Sequence, residues 1–311
     1  MNRKAEFSSV QYFLQSPQQR SRQSRERVLT DLPLIPPRQV PSTPPSAGLR
    51  RDMEILDLLA RPEHAAQGIG VSRIAELLGR EKSQVSRALK ALESEGIAER
   101  DPDSLEYRLG WRLYAFAART SEARLANLAG PYLRRLVAGL NETTHLCVLR
   151  GSSVLTLLSV SPSHAFRGLG WEGVTVPVPL TSAGRVLVSD WAPDALRSWA
   201  DSWLSESGVS RSATFRQRIQ STDDLVREVG LIRKRGYAAV DEEFEADLVG
   251  VSAPVRDFRG VIVAAINVSA PKGRLAPHLD EAGRRTLAVA HELSAALGHP
   301  SGSSNAHPSE R

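Results

Sequence analysis

Residues 82–96 read KSQVSRALKALESEG, and they decide how the first part of the chain is folded. With Val85 set at 0° and about 100° advanced per residue, Ala88, Leu89 and Leu92 fall within about 60° of it. Ser83, Arg87, Lys90 and Ser94 fall on the opposite side. The apolar stripe predicts a helix packed on a core, and Gly96 marks its end. The outward face is short-chained, polar and basic: positions 82 to 90 hold the cations Lys82, Arg87 and Lys90 and no acid. Two uses fit such a face. One is a solvated helix whose charges aid solubility. The other is a helix in a DNA major groove, where phosphates line the walls and base edges offer partners to Arg, Lys, Gln and Ser.

The flanks bear on that choice. Upstream, RRDMEILDLLA (50–60) places Met53, Leu56 and Leu59 on one helical face. VSRIAELLG (71–79) repeats the pattern with Ile74, Leu77 and Leu78, with Ser72 as a candidate N-cap and Gly79 as the stop. Only two or three residues then separate it from the quoted helix, the tight joint of a helix-turn-helix. Downstream, GIAERDPDSLEYRL (96–109) predicts two short strands around a turn at Asp101-Pro102-Asp103-Ser104. In the second strand Leu105, Tyr107 and Leu109 alternate with Glu106 and Arg108. Three helices and a hairpin make a winged helix-turn-helix. The residues expected on base edges and phosphates of double-stranded DNA are Lys82, Ser83, Gln84, Ser86, Arg87 and Lys90. The wing is acidic, so little phosphate affinity is expected from it.

At 311 residues and 41% apolar content, the chain is long enough for two domains with separate cores. No apolar run approaches the roughly 20 residues that span a bilayer, and the N-terminus lacks a hydrophobic signal region. A cytoplasmic protein without membrane contact is expected. The single cysteine, Cys147, cannot form an internal disulfide, and its apolar neighbours predict a buried, inert thiol. Residues 1–51 carry nine Lys/Arg against three Asp/Glu, so the chain's net charge of +5 belongs to this arm. Overall basicity is therefore a poor argument for nucleic-acid binding here. Seven of the 19 prolines lie in residues 1–48, which predicts a disordered arm whose arginines either brush phosphates or stay solvated.

GVSRIAELLGREKSQVSRALKALESEGIAER (70–100), followed by YRLGWRL (107–113), resembles the DNA-binding domain of the IclR family of bacterial transcriptional regulators. Ser83, Val85 and Arg87 match that family's Ser-x-Val-x-Arg core. RKRGYAAVDEEFEADLVGVSAPVRDFRGVIVAAINVSAP (233–271) resembles its effector-domain signature, and PLTSAGRVLVS (179–189) is similar to its Ala-Thr-Ala-x-Gly-Lys helix start. The resemblance covers residues 49–298. It implies a GAF-like antiparallel sheet flanked by helices, DNA binding as a homodimer or homotetramer, and control by a small-molecule effector. Three departures stand out: Arg185 where lysine is usual, Gly250 where many members have cysteine, and Asn267 for the first serine before Ser269. The resemblance implies that these positions face the ligand cavity, and hence that the effector differs from that of the glyoxylate-type regulators.

Read from the residues alone, 126–298 alternates β-rich runs (145–149, 154–160, 251–255, 261–268) with helical ones (225–235, 281–297), an α/β or α+β domain. GLGWEG (168–173) is a literal GxGxxG, but the prolines at 177 and 179 forbid the following helix on which a pyrophosphate would rest. A loop over a cavity is the better reading. Thr181 or Ser182 can cap a helix running through Val188, leaving the backbone N–H groups of Ala183, Gly184 and Arg185 toward a carboxylate. Gly184 would allow close approach. By family position, Gly250, Asn267 and Ser269 would complete the site, and Asp241 or its neighbour would approach it. An ordinary capped helix with its polar groups satisfied internally remains the alternative. Most of the five acids in DEEFEAD (241–247) are expected to be solvated, and no His or Cys stands at ligand spacing, so no metal and no cofactor is expected.

The expected architecture is α+β: an arm at 1–48, a winged helix-turn-helix domain at 49–110, a linker and dimerisation helix at 111–125, a GAF-like effector-binding domain at 126–298 and a tail at 299–311. The helix from Trp111 to about Glu122 is expected to pair protomers. The expected function is a ligand-responsive DNA-binding transcriptional regulator on a palindromic operator, with a small organic acid or aromatic carboxylate as effector. No catalytic motif such as G-x-S-x-G or H-E-x-x-H occurs. A GAF-like small-molecule enzyme and a ligand-independent architectural DNA-binding protein are the alternatives.

Overall fold

The computed structural model describes residues 47–65, 67–162, 171–206 and 218–300. Nearly all of the arm and tail expected at 1–48 and 299–311 lies outside these residues. The chain begins with α1 (Ala47–Leu59), α2 (Pro62–Ala65), α3 (Val71–Leu78) and α4 (Lys82–Ser94), followed by β1 (Ala98–Arg100) and β2 (Tyr107–Leu109). The two strands pair antiparallel, and Tyr107 also bridges to Ile69. Ile55, Leu58, Leu59, Ile74, Val85, Leu89 and Tyr107 form the core beneath them. This is a winged helix-turn-helix.

Several details differ from the expected pattern. α1 buries Ile55, Leu58 and Leu59, whereas Met53 is exposed. The stripe is thus rotated from the one read off the leucines, because Ile55 and Leu59 meet α3 and α4. Gly70, not Ser72, precedes the first turn of α3, which buries Ile74 and Ala75 while Leu77 faces outward. Gly79 does end α3, in the left-handed conformation at φ 61°. The turn at 101–104 is an Asx turn: the Asp101 carboxylate accepts from the N–H groups of Asp103 (3.0 Å) and Ser104 (2.9 Å). Leu105, at φ 60°, is exposed, so only Tyr107 of the expected inward set is buried.

The expected single linker helix is two. α5 (Trp111–Ala117) stops, and α6 (Ser121–Leu140) restarts with Thr120 as its N-cap, whose hydroxyl accepts from Ala123 N–H at 3.1 Å. α6 runs straight through Pro131, a residue that by itself reads as a helix boundary. It survives because its face of Ala129, Leu133, Leu136 and Val137 is buried on the sheet.

That sheet is built from β3 (Thr143–Arg150), β4 (Ser153–Val160), β5 (Thr175–Pro177), β6 (Ala238–Asp241), β7 (Leu248–Arg256) and β8 (Ile262–Pro271). Its order is β5-β4-β3-β8-β7-β6 and every neighbouring pair is antiparallel. Strand alternation divides the residues between two layers. Leu146, Val148, Val251, Ile266 and Val268 pack with α6 and α11 (Leu279–Ala296). Cys147, Val154, Ala238 and Ala265 pack with α7 (Ser182–Leu187), α8 (Pro193–Glu206) and α9 (Thr222–Arg235). A short α10 (Lys272–Leu275) leads from β8 toward α11.

α7 is seated on the 3₁₀ turn Val178–Leu180, and Gly184 makes that seat possible. A Cβ on Gly184 would lie 2.2 Å from the Val178 carbonyl oxygen and 2.5 Å from its Cα. Both are backbone atoms that cannot swing aside. Gly184→Ala should therefore destabilise the C-terminal half by about 1–3 kcal/mol, the usual overpacking cost, measured as a lower midpoint in urea.

Candidate functional site

Two places in the fold match the residues singled out by sequence. On α4, Lys82, Ser83, Gln84, Arg87 and Lys90 are exposed, and Ser86 is half-buried at the edge of the stripe. The opposite side holds Val85 and Leu89 in the core. The Arg87 side chain lies back along the helix, its Nε 3.4 Å from the Ser83 carbonyl oxygen, and it forms no ion pair with an acid among the described residues. The C-terminal end of α4 and the first wing strand are also tied to α5. Arg112 of α5 donates to the Glu95 carbonyl (2.8 Å) and carboxylate (2.5 Å), and Trp111 N–H donates to Glu99 at 3.1 Å.

The second place is a cavity between α7 and the polar rows of the sheet, with about 70 Å³ of room for water centres. One water needs about 10–15 Å³ by this measure, so the cavity takes a few waters or one compact organic molecule. Thr181, Ser182, Ala183, Gly250, Asn267 and Ser269 of the expected set all border it. The register explains their convergence: Ser252, Asn267, His145 and Ser159 form one row across β7, β8, β3 and β4, and Gly250 stands opposite Ser269 in the next. The Asn267 amide donates to Ser182 (3.1 Å), Ser252 (2.9 Å) and the Val251 carbonyl (3.2 Å), and the Ser182 and Ser252 hydroxyls lie 2.8 Å apart. Gly250 leaves room at this end, since a Cβ there would press on the Val268 carbonyl oxygen at 3.3 Å and on Asn267 Nδ2 at 3.4 Å.

Gly184 and Asp241 do not border the cavity. Gly184 meets the 3₁₀ turn instead, and its N–H is already taken by the Thr181 hydroxyl at 3.1 Å. Asp241 pairs with Lys272 at 2.8 Å, which also holds Glu242 at 2.7 Å. Nor does Arg185 border the cavity. It is fully buried, donating to the Pro179 carbonyl at 2.9 Å and through both terminal nitrogens to Glu243. Glu243, expected in a solvated acidic run, accepts additionally from the Arg218 N–H at 3.0 Å. The expected solvation of that run fails at this residue because Arg185 arrives from α7. Of GLGWEG, residues 168–170 lie outside the described residues. The next elements in the chain are β5 and a 3₁₀ turn, with no helix to receive a pyrophosphate. Among the described residues no three His, Cys, Asp or Glu side chains converge as a metal site.

Sequence reasoning missed His145, Trp171 and Phe244. His145 Nδ1 lies 2.5 Å from Ser159 Oγ and its Nε2 3.0 Å from Ser269 Oγ. Burial pushes this imidazole down to about 4 and the neighbouring Cys147 thiol up to about 12, so both are neutral at physiological pH. Trp171 packs edge-on against His145 (6.1 Å) and tilted against Phe244 (6.3 Å). The signal for His145 was the i, i+2 spacing with Cys147 on one strand face. Trp171 and Phe244 carried none, since both stand in turns.

The C-terminal model described as bacterial transcriptional regulator IclR matches residues 117–295, and the IclR helix-turn-helix domain matches residues 48–102. The chain belongs to the IclR family. Among IclR relatives, the regulator BhcR of Paracoccus denitrificans is 30% identical over 259 residues, covering 80% of this chain and 88% of BhcR. The glycerol operon regulatory protein of Streptomyces coelicolor is 29% identical over 255 residues, covering 79% and 96%. An IclR homolog from Microbacterium hydrocarbonoxydans, solved in complex with 4-hydroxybenzoate, is 25% identical with a TM-score of 0.66, covering 80% of this chain and all of that one. The Thermotoga maritima IclR structure shares the fold at a TM-score of 0.64 and 24% identity, covering 81% and 98%. This is a family of DNA-binding transcriptional regulators, and membership assigns the chain to regulation rather than catalysis. No helix among the described residues is long and apolar enough to cross a membrane.

Two measurements probe the IclR cavity's frame. Glu243→Gln leaves the Arg185 charge buried without its counter-ion and should cost about 3–5 kcal/mol, whereas Arg185→Met with Glu243→Leu should stay close to wild type in chemical denaturation. For His145, an unfolded imidazole binds its proton near 6.5 and the folded one near 4, so the folded state holds fewer protons between these values. Its contribution is complete above about pH 6.5 and is lost as pH falls toward 4, by roughly 3 kcal/mol at most. His145→Gln should flatten that part of the stability profile.

Proposed function

We propose that this IclR-family regulator is ligand-responsive, reads a palindromic operator as a dimer or tetramer, and takes a small organic acid or aromatic carboxylate as its effector. The division behind this reading is a DNA-binding unit at 49–110, a joining segment at 111–125 and an effector-binding unit at 126–298. The observation that carries it is the exposed face of α4, where Ser83, Gln84, Arg87 and Lys90 point outward from a helix fixed by its own core, with no acid between positions 82 and 90. Arg87 and Lys90 would take base-edge acceptors or phosphates, Ser83, Gln84 and Ser86 would hydrogen-bond along the groove, and Lys82 at the helix start would meet the backbone. Pairing of protomers is supported by α5, whose Trp111, Tyr114 and Phe116 are 66%, 79% and 55% exposed, a run of large aromatic side chains left facing water. An effector in the cavity shifts operator affinity to the extent that it favours one arrangement of the paired chains.

The test is binding of the purified protein to its own upstream DNA against random duplex at several salt concentrations. Arg87→Ala should cost about 1–3 kcal/mol on the mapped operator and relax discrimination at one base pair. Unchanged affinity and unchanged discrimination would reject the assignment of Arg87.

A further inference from the structure

The central sheet forks at one end. β3 and β8 pair from Thr143↔Ser269 to Cys147↔Ala265, and there the ladder between them stops. Beyond it Val148, Leu149 and Arg150 continue their pairing with β4, and Ala264 and Ile262 theirs with β7. An open cleft follows, bordered by Leu149 and Arg150 on one side and by Ile262 and Val263 on the other. Side chains take up backbone groups at its mouth: the Arg150 guanidinium donates to the Leu149 carbonyl at 2.7 Å, and Asp190 accepts from Ile262 N–H at 2.9 Å. The sheet is thus continuous as far as Cys147 and split into two three-stranded halves past it.

The cavity and the start of α6 are both attached to these halves. Cys147, Thr156 and Val176 border the cavity from one half, and Gly250, Asn267 and Ser269 from the other. A guest that touches both walls therefore bears on the angle between them. α6 packs on β3 and β4, whereas α11 packs mainly on β7. Strand alternation puts Cys147 on the cavity face and Arg150 on the α6 face. The hairpin joining β3 to β4 is closed by Gly151 and Ser152 alone, so Arg150 stands at a tight tip. There its guanidinium pairs with Glu122 in the first turn of α6, just past the break at Thr120. Arg135, about 20 Å further along α6, pairs with Glu292 of α11. One end of α6 is thus fastened to the β3–β4 tip and the other to the helix of the opposite half.

Resting on the ligand-responsive reading above, we propose that Arg150 and Glu122 are the positioning residues through which the cavity and the DNA-binding half sense each other. The opening of the fork sets where α6 begins, and α6 begins where α5, tied to α4 and the wing, ends. The pair is partly exposed and adds little stability, so its loss leaves the fold intact while removing a coupling of a few-fold in affinity.

Coupling between two sites is reciprocal, so if the cavity alters DNA binding, DNA must alter the cavity. Cys147 provides the readout: it is the sole cysteine of the chain, it borders the cavity, and it is the last residue of β3 paired to β8 before the fork. Its buried thiol reacts only as the cavity opens. The full-length protein is saturated with duplex from its own upstream region or with random duplex, and Cys147 modification by methyl methanethiolsulfonate is followed by mass spectrometry. The expected result is a rate that differs about threefold between the two duplexes. That difference should vanish in Arg150→Gln, or in Glu122→Gln if the first fails to fold, and persist in Arg150→Lys. The proposal is overturned if the glutamine variant keeps the difference, if Arg150→Lys loses it as fully, or if the wild type prefers the upstream duplex yet shows no difference. This last result leaves the DNA-binding reading standing, whereas no preference for the upstream duplex removes that reading and the coupling with it.

Discussion

The buried ion pair between Arg185 and Glu243 is the contact on which the effector half depends. Neither side chain is exposed at all, and four segments meet there: the 3₁₀ turn through Pro179, α7 through Arg185, the turn at 242–247 through Glu243 and the approach to α9 through Arg218. Thr181, Ser182 and Ala183 lie just ahead of Arg185, and Phe244 follows Glu243 directly. Fastening the pair therefore fastens two walls of the cavity to each other. Such a pair gains little net stability, since desolvation offsets most of the attraction. What it supplies is registry: the turn at 242–247 has one position in which the charge of Arg185 is matched. That turn carries two non-glycine residues in the left-handed region, Glu242 at φ 58° and Asp247 at φ 60°. It is held at its base by Lys272 as well. Backbone strain of this kind persists only where surrounding contacts over-determine it.

The DNA-facing half is organised differently. Its surface chemistry belongs to one helix, and its geometry to the contacts that fix that helix. Arg112 and Trp111 clasp Glu95 and Glu99, which ties α5 to α4 and the wing, and α6 starts afresh after the break at Thr120. The wing contributes little positive charge. Asp101 is committed to its own turn, and Arg108 is partly answered by Glu99 at 3.4 Å. The proposed groove recognition therefore rests on α4.

Much of this was legible in the residues, and the failures have physical causes. The orientation of α4 followed from periodicity because its apolar stripe is narrow and its polar face uniform. The orientation of α1 did not, since apolar residues occur on more than one of its faces and only contact with α3 and α4 selects Ile55 over Met53. α6 continues through Pro131, whose local cost is overridden by burial of a long apolar face. Arg185 and Gly184 were read as ligand-facing because they stand in a capped turn, where close approach and anion contact are the ordinary explanations. Their actual neighbours are Glu243, from a turn 58 residues further along the chain, and Val178, from the 3₁₀ turn folded back beneath α7.

The sequence by itself determined the winged helix-turn-helix, the alternation of the central strands, the family and the polar residues Ser182, Asn267 and Ser269, because each of these is carried by local periodicity or a contiguous motif. Tertiary structure alone decided which polar residues meet. The row from Ser252 through Asn267 and His145 to Ser159 is assembled by strand register across four strands. Trp171 and Phe244 join it from turns roughly 70 residues apart in the chain. Side-chain period shows which face a residue takes, but register and chain crossing fix its neighbours, and no local pattern encodes those.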